Sequence, residues 1–378
     1  MRAVICGAGV AGLTLATQLG RAGWDVVVLE RGSGPLCDGF LVELADEGFV
    51  AAERMGLLPK IKQCAQSVHR VRWVNETGVL IADLNVRRSR GPVLTLLRGD
   101  LQRILLDNLP PSVEVRFGFG VSQIRTAADW VEIALQPLGR LTADLLIGAD
   151  GIHSHIRELV FDDGGLSSRT LGFDAAAFAF EDERIRHLLE GKLTALSVPA
   201  RHIVVCPLRG GKIAVMLVHR SISAVPPGDP VAHLRSVYAD LRWCVPSLLD
   251  HASKAADLQY EQTTQIKLPI WYRGRIGLLG DSCHAYSLLP GQGTSFTLAA
   301  AAWLGTELIR APSIDVALAW YQNRLMGEMA KRRVSTRKTV QWLVPSNRVD
   351  LIVRNSLLRL SGLPAFSRLV RPVSGGLA

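Results

Sequence analysis

The chain has 378 residues, of which 48% are hydrophobic and 20% are charged, the composition of an ordinary globular protein with room for two domains. No stretch of about 18 residues is free of charges and glycine breaks, so no transmembrane helix is predicted. The net charge of +9 falls almost entirely after Met326, where the sequence has ten Lys and Arg residues and only two acidic residues. The rest of the chain is close to neutral, so no nucleic-acid partner is predicted.

The first 32 residues pose a choice between a secretory signal and a nucleotide-binding unit. Residues 3–6 are an apolar run, and GAGVAG follows at 7–12. A helical pattern then ends at Gly23, and a second apolar strand ends at Glu30. A signal peptide would end its apolar run in small residues and a cleavage site. Strand, glycine turn, helix, strand and acid are instead the context of the dinucleotide-binding fingerprint, which this segment predicts.

The residues of this unit have distinct predicted roles. Gly7 permits a tight turn, Gly9 lets the backbone approach a pyrophosphate, and Gly12 lets the helix pack closely on the strand. The N–H groups at the start of the helix face the phosphates. Glu30, 18 residues after Gly12, is placed to accept hydrogen bonds from a ribose. The predicted cofactor contacts in this unit are Gly7, Gly9, Val10, Ala11, Gly12, Glu30 and Arg31.

Two later segments decide between NAD and FAD. DLLIGADG at 144–151 is predicted as a buried strand that runs into a turn. RIGLLGD at 275–281 ends in a carboxylate that can accept a hydrogen bond from a ribitol hydroxyl, and LPGQGT at 289–294 brings bare backbone close to a flat group. The small-residue helix that follows points its positive end at a reduced isoalloxazine. An NAD enzyme has no use for such a site, so FAD is the predicted cofactor.

In this order and spacing, the three segments resemble those of the class A flavoprotein monooxygenases, the para-hydroxybenzoate hydroxylase-like family, over roughly residues 1–325. Residues 97–101 and 149–154 are similar in particular to the short branch that contains tetracycline-inactivating monooxygenases. Two departures leave the substrate open. Residues 300–303 lack the acidic pair that the family often places there, and residues 35–40 lack an arginine found in many members.

The resemblance implies roles for individual residues. Glu30 would bind the adenosine ribose, Asp281 the ribitol, and Arg98 the flavin nucleotide. Asp150 and Gly151 match the segment that the family links to FAD and NAD(P)H together. The loop residues expected at the flavin are Pro290, Gly291, Gln292, Gly293 and Thr294.

The stretches between the flavin segments have a different character. Residues 68–74 and 79–84 alternate and pair across a turn, and further strand-like runs include 173–180 and 212–219. The predicted fold is α/β, a Rossmann-like FAD-binding domain with an inserted, mainly antiparallel β-sheet substrate domain and C-terminal helices. The predicted bounds are 1–67, 96–167 and 266–325 for the FAD-binding domain, 68–95 and 168–265 for the substrate domain, and 326–378 for a basic helical segment.

The sequence allows more than one role for the substrate-pocket candidates and for the basic C-terminal segment. The substrate-pocket candidates are Phe173, Phe178, Phe180 and Met216, although core packing is the favoured interpretation for any one of them. The basic segment, with a helix predicted over 350–360, either packs across both domains with its arginines in solvent, borders the substrate entrance, or contacts an anionic membrane surface. Membrane contact is the least favoured of the three.

The resemblance implies an FAD-dependent monooxygenase that uses NADPH or NADH and O₂. It would oxygenate an aromatic or polyketide-like small molecule through a flavin C4a-hydroperoxide in a dry pocket. This chemistry needs no protein nucleophile and no metal, and the sequence has no Ser/His/Asp arrangement and no residues with metal-ligand spacing, so no catalytic residue and no metal are predicted. His153 and His284 are expected to be structural or solvent-facing. The six scattered cysteines suit reduced thiols and a cytoplasmic location.

Three other functions fit the sequence less well. An FAD-dependent dehydrogenase or reductase without oxygen transfer is the main alternative. A flavin-dependent halogenase is disfavoured because no two of the eight tryptophans are two residues apart. The least enzymatic alternative is a flavoprotein that docks to a membrane or a partner through its basic tail.

Overall fold

The computed structural model describes residues 1–36, 39–65, 68, 70–85, 92–161, 167–221, 226–255, 257–286 and 293–361, without the side chains of 334–339 and 361. The strands are β1 (Arg2–Cys6), β2 (Asp25–Glu30), β3 (Leu41–Leu44), β4 (Arg70–Val74), β5 (Leu80–Asn85), β6 (Leu94–Leu97), β7 (Val113–Phe117), β8 (Gly120–Thr126), β9 (Val131–Gln136), β10 (Arg140–Ala143), β11 (Leu145–Gly148), β12 (Ser168–Glu181), β13 (Leu193–Val198), β14 (Arg201–Pro207), β15 (Lys212–Arg220), β16 (Gln259–Ile266), β17 (Tyr272–Arg273) and β18 (Ile276–Leu278). The helices are α1 (Val10–Arg21), α2 (Asp46–Arg54), α3 (Leu58–Cys64), α4 (Arg98–Leu106), α5 (His155–Phe161), α6 (Glu183–Leu189), α7 (Pro230–Tyr238), α8 (Val245–Ala252), α9 (Asp281–His284), α10 (Thr294–Arg310), α11 (Ile314–Leu343) and α12 (Arg348–Ser361), with a short 3₁₀ helix at Arg209–Gly211.

The first sheet is six-stranded, in the order β17-β18-β11-β1-β2-β7, and every pair except β17–β18 is parallel. Its central strands are apolar and buried, as expected for a parallel sheet covered on both faces. Because the strands are parallel, their carboxyl ends meet at one edge. This edge brings together the glycine turn after β1, Glu30 at the end of β2, Asp150 after β11 and Asp281 after β18.

The second sheet is seven-stranded, in the order β16-β12-β15-β14-β13-β4-β5, and only β4–β13 is parallel. The predicted hairpin of residues 68–84 is present as β4 and β5. One face of this sheet packs on α6, α7 and α8. The other face packs on Phe40, just before β3, on Leu41 in β3 and on Leu97 in β6. The predicted fold class is confirmed.

The two large sheets draw their strands from different parts of the chain. All strands of the six-stranded sheet lie within the predicted bounds 1–67, 96–167 and 266–325. The seven-stranded sheet takes its strands from residues 70–85 and 168–266. This separation supports the predicted domain bounds, which we retain as a proposal.

Helix α11 joins the two cores at the C-terminal side. Leu318 and Leu325, in its first half, belong to the core of the first sheet, whereas Val340 and Leu343, near its end, belong to the core of the second. The part of α11 after Met326 belongs to the basic segment, and its position agrees with the interpretation that this segment packs across both units, which stays a prediction. Among the described residues, no helix has the length and apolar character needed to span a membrane. Contact of the basic segment with a membrane surface stays a prediction.

One arginine of the basic segment is internal, so the prediction that these arginines lie in solvent is wrong for Arg354. Its side chain on α12 is 2% exposed, and the guanidinium lies 4.8 Å from the centroid of the Trp73 ring. It donates hydrogen bonds to the carbonyl of Leu343 and to Oδ1 of Asn355. Burial lowers the pKa of Arg354 to about 10. A planar guanidinium can stack on an aromatic face, which permits this burial.

Candidate functional site

Two of the three glycines in the turn after β1 have no room for a side chain. A Cβ on Gly7, whose φ is +111°, would lie 2.4 Å from the carbonyl oxygen of Ala149. A Cβ on Gly12 would lie 2.0 Å from the carbonyl oxygen of Gly7. Gly9 differs, because no heavy atom lies within 4 Å of its Cβ position. Gly7 and Gly12 therefore serve the close packing of the turn, and Gly9 faces open space.

Glu30 braces this turn from the end of β2. Its Oε2 accepts the N–H of Ala8 at 2.9 Å, and its Oε1 accepts the N–H of Gly32 at 2.8 Å. A carboxylate oxygen can accept more than one hydrogen bond, so both oxygens keep capacity for a hydroxyl group of a ligand. Glu30 is thus held in a fixed orientation at the edge of the sheet.

Two cavities meet at this edge. The outer cavity is lined by Gly7, Gly9, Glu30, Arg31, Arg98, Gln102, Ala149, Asp150 and Gly151, among others. The inner cavity is lined by Gly9, Val10, Ala11, Phe40, Arg98, Ala149, Gly151, Glu261, Asp281, Gly293 and Thr294, among others. The shared residues show that the two cavities adjoin at the start of α1 and the start of α4. Together they form one elongated space from Glu30 to Asp281.

Most of the predicted cofactor contacts therefore line one continuous space. Gly12 is the exception, because it lies in neither wall and acts through packing. Pro290, Gly291 and Gln292 lie outside the described residues. His153 is exposed, and His284 is buried between the rings of Trp271 and Phe296, where burial lowers its pKa to about 3. Both histidines thus agree with a structural or solvent-facing role.

Asp150 lines the outer cavity but uses its carboxylate within the chain. The oxygens accept the hydroxyl of Ser154 and the N–H groups of His155 and Ile156, which caps the start of α5. Arg157 then donates to the carbonyl of Ser282 at 2.9 Å and to that of Ile152 at 2.7 Å. The Asp-Gly segment and the Gly-Asp segment are therefore tied together, and Asp150 positions the cavity wall.

The carboxylate of Asp281 lines the inner cavity. No described residue forms a hydrogen bond with its side-chain oxygens, and its accessible surface faces the cavity. The Asp281 side chain is exposed to this cavity, and the cavity walls still desolvate it enough to raise its pKa, while the charge of Arg98 offsets part of the rise. Burial likewise raises the pKa of Glu261 in the same cavity. The inner cavity thus holds two carboxyl groups and one guanidinium.

Sequence reasoning missed two parts of the walls. Gln102, one turn after Arg98 on α4, donates to the carbonyl of Ala8 at 2.7 Å and accepts the N–H of Leu36 at 2.8 Å. β16 supplies Glu261, Gln262, Thr263 and Thr264 to the inner cavity. The spacing of Gln102 from Arg98 on one helix was a usable signal. The polar sequence QYEQTTQI of β16 also indicates an edge strand, but it does not indicate that β12 is the strand with which it pairs.

The four aromatic and methionine candidates do not line the inner cavity. Phe178 and Phe180 lie on the sheet face that packs on α6, α7 and α8, and the ring of Phe180 stacks on His251 with the ring centroids 3.9 Å apart. The prediction that these two line a substrate pocket is wrong, because side chains in a strand alternate between faces. Phe173 and Met216 lie on the opposite face, in the core beside Phe40, and their role toward a substrate stays a prediction.

Replacing Phe178 with alanine is expected to lower the free energy of unfolding by about 3–5 kcal/mol, because the ring is fully buried. FAD affinity and the activity per FAD-loaded chain should stay at wild-type values. Thermal melting and the flavin absorbance of the purified variant measure the two effects. A stable variant with altered turnover would return Phe178 to the substrate pocket.

The elongated space fits FAD. Gly9 gives open backbone at the junction of the two cavities, the first residues of α1 line its wall, and Glu30 stands at one end. At the other end, Asp281 supplies an acceptor that has no hydrogen-bond partner among the described residues. A dinucleotide needs these groups in this order: an acceptor for a ribose, backbone N–H groups for a pyrophosphate and an acceptor for a second polyol.

Comparisons with known proteins agree with this geometry. A family described as "FAD binding domain" matches residues 1–313. The chain is 30% identical to the uncharacterized protein Rv1260 of Mycobacterium tuberculosis over 91% of this chain and 92% of the relative. It is 26% identical to 3-hydroxybenzoate 6-hydroxylase 1 of Aquipseudomonas alcaligenes, over 94% and 92% of the two chains.

A solved structure shares the whole fold. The crystal structure of tetracycline destructase Tet(51) superposes with a TM-score of 0.79 at 23% identity, and the match covers 96% of each chain. At this identity the likeness concerns the fold alone. The family match spans most of the chain, and the curated relative is named as a hydroxylase. The chain therefore belongs to the FAD-binding family of class A flavoprotein monooxygenases and is an FAD-dependent oxidoreductase.

Proposed function

We propose that this protein is a monooxygenase that consumes NADPH or NADH and inserts one oxygen atom of O₂ into an aromatic or polyketide-like small molecule. The observation that carries the proposal is the continuous space from Glu30 to Asp281, whose inner end is walled by β16 of the second sheet. A cofactor that begins at Glu30 would thus end where the two sheets meet. That position suits a reaction between a flavin ring and a substrate held by the second sheet.

The chain's own residues would bind and orient the cofactor. The N-terminus of α1, at Val10 and Ala11, presents backbone N–H groups to the pyrophosphate, and Arg98 adds a positive charge at the junction of the cavities. Asp281 would accept a hydrogen bond from the ribitol. The start of α10, at Gly293 and Thr294, lines the inner cavity and would place its positive end near the ring. Bound FAD supplies electron transfer from the nicotinamide donor and the activation of O₂.

The inner cavity also has groups for a substrate. Phe40 is buried and gives it an apolar wall, whereas β16 gives it a row of polar side chains that ends at Thr264. The raised pKa of Glu261 lets its carboxyl group hold a proton at a pH where an exposed glutamate has lost it. A ring that carries hydroxyl or carbonyl groups suits such a mixed wall. The names of the hydroxybenzoate hydroxylase and the tetracycline destructase support this substrate class.

Oxygen-isotope labelling tests the proposal. Phenols and polycyclic polyketides are first screened with the FAD-loaded protein for stimulated oxidation of NADPH or NADH. The active compound is then turned over under ¹⁸O₂, and the product should gain one ¹⁸O atom by mass spectrometry. A product without ¹⁸O, formed with stoichiometric hydrogen peroxide, would favour the dehydrogenase alternative and contradict oxygen transfer.

A further inference from the structure

Two histidines and an aspartate converge on the second sheet, on the face opposite to the one that packs Phe40. Asp174 on β12 lies directly across from His219 on β15, and His233 reaches them from α7. The Nε2 atoms of the two histidines are 3.2 Å apart. Nε2 of His219 is 3.9 Å from Oδ2 of Asp174, and one ligand atom of each residue lies within 4.8 Å of the others. We call this group the histidine cluster.

We propose that the histidine cluster binds a divalent transition metal of the Zn²⁺ class at a site separate from the flavin. Two imidazoles and one carboxylate are a common set of three protein ligands for Zn²⁺, with the fourth position left for water. Zn–N distances of about 2.0–2.1 Å at a tetrahedral angle place two ligand nitrogens about 3.3–3.4 Å apart. The measured separation of 3.2 Å between the two Nε2 atoms is close to this value.

A buried acceptor in the cluster lacks a partner. Asp174 is 2% exposed, and its Oδ1 has no hydrogen-bond partner among the described residues, while its Oδ2 accepts the hydroxyl of Tyr260 at 2.7 Å. A buried carboxylate oxygen left unpaired is costly, and a cation bound at Oδ1 would remove that cost. The other oxygen, Oδ2, is the one 3.9 Å from Nε2 of His219, and the Tyr260 hydroxyl that it accepts lies 3.4 Å from the same nitrogen.

The surroundings would orient the ligands. The hydroxyl of Tyr238 lies 3.4 Å from Nδ1 of His219, on the side of the ring away from the metal position. A hydrogen bond at that nitrogen is the usual outer partner of a metal-bound histidine. Arg201, whose charge acts on His219, is paired with the carboxylate of Asp240, so its repulsion of a cation is reduced. His233 is only partly buried and gives the site an opening.

A bound metal would join α7 to two strands of the sheet. No local motif indicates this site, because the three ligands are separated by 45 and 14 positions in the chain, unlike the short spacings of metal-binding motifs. The prediction that the chain has no metal site considered only ligands that are close together in the sequence. In the fold, strand pairing and the packing of α7 bring the residues together.

Equilibrium dialysis of the FAD-loaded protein against Zn²⁺, after treatment with a chelator, tests the site. The wild type should retain one Zn²⁺ per chain, and thermal melting should rise by roughly 3–5 °C at a hundredfold excess over Kd. His233→Ala should bind Zn²⁺ at least tenfold more weakly and lose the melting shift. His187→Ala, which removes an 87% exposed histidine, is the matched control and should behave as the wild type.

The FAD content of each variant shows that it is folded and that the flavin site is intact. Asp174→Asn, which keeps the shape of the side chain, should also weaken Zn²⁺ binding at least tenfold. Failure of the wild type to bind Zn²⁺, or equal binding by His233→Ala, would overturn the proposal. The two imidazoles would then share a hydrogen bond and nothing more.

Discussion

Replacing Gly9 with valine is expected to give a chain that folds as stably as the wild type yet purifies without FAD. The backbone at Gly9 has φ −77° and ψ −177°, an extended conformation that valine adopts readily. No heavy atom lies within 4 Å of its Cβ position, so the flavin-free fold has room for the side chain. That room is the junction of the two cavities, where the pyrophosphate is expected. We therefore expect FAD affinity to fall at least a hundredfold, on the order of 3 kcal/mol or more.

Two further substitutions separate loss of the site from loss of the fold. Gly12→Ala places a methyl group 2.0 Å from a backbone oxygen, which should cost about 3 kcal/mol of folding stability. Gly327→Val, on α11, repeats the Gly9 substitution where the Cβ also meets no atom within 4 Å, and it should bind FAD normally. Melting of the flavin-free proteins and FAD titration by fluorescence measure both properties. A Gly9→Val protein that remains yellow would place the pyrophosphate elsewhere.

The N-terminal unit was predictable because its structure is determined locally. Apolar residues in a strand, glycines in a turn and an acid at the end of the next strand each have one structural use, and they stand close together in the sequence. The close contacts of Gly7 and Gly12 agree with the predicted reasons for glycine. The Gly-Asp segment was predictable for the same reason, since it ends a parallel strand at the edge where ligands bind.

Asp150 shows what spacing alone leaves undecided. A carboxylate after a buried strand can face a ligand or can cap the helix that follows, and the two arrangements have the same sequence pattern. In this structure the N–H groups of His155 and Ile156 donate hydrogen bonds to the Asp150 carboxylate, so it caps the helix. The short distance to the start of α5 was the only local sign of a capping role.

The walls contributed by the second sheet depend on pairings that are distant in sequence. β16 joins the sheet through β12, about 90 residues earlier in the chain, and no local pattern specifies that register. In β12 the run FDAAAF at 173–178 is buried on both faces, so alternation of polar and apolar residues could not tell which aromatic ring faces the cavity. The histidine cluster was hidden for the same reason.

Asp281→Asn is expected to weaken FAD binding at least tenfold while it raises the stability of the flavin-free protein at neutral pH. The carboxylate has no hydrogen-bond partner among the described residues, and desolvation raises its pKa, so the ionised form is unfavourable in the folded chain. The amide avoids this charge. It is also a weaker acceptor for the ribitol hydroxyl that Asp281 is proposed to bind.

The pH dependence fixes the sign of the effect. Because the pKa of Asp281 is higher in the folded than in the unfolded chain, its contribution to stability is complete below the unfolded value, about 4, and is lost as the pH rises through the folded value. The melting temperature of Asp281→Asn minus that of the wild type should therefore grow between pH 4 and pH 7.

Asp240→Asn provides a control of opposite sign. The hydrogen bond from Arg201 lowers the pKa of Asp240, so its contribution is present above the unfolded value and is lost as the pH falls. This variant should be less stable than the wild type at pH 7, with FAD affinity unchanged. If Asp281→Asn instead melted below the wild type at pH 7 and retained FAD, Asp281 would be a structural residue and the ribitol would lie elsewhere. A carboxylate that costs stability in the empty protein is best explained by a ligand that needs it.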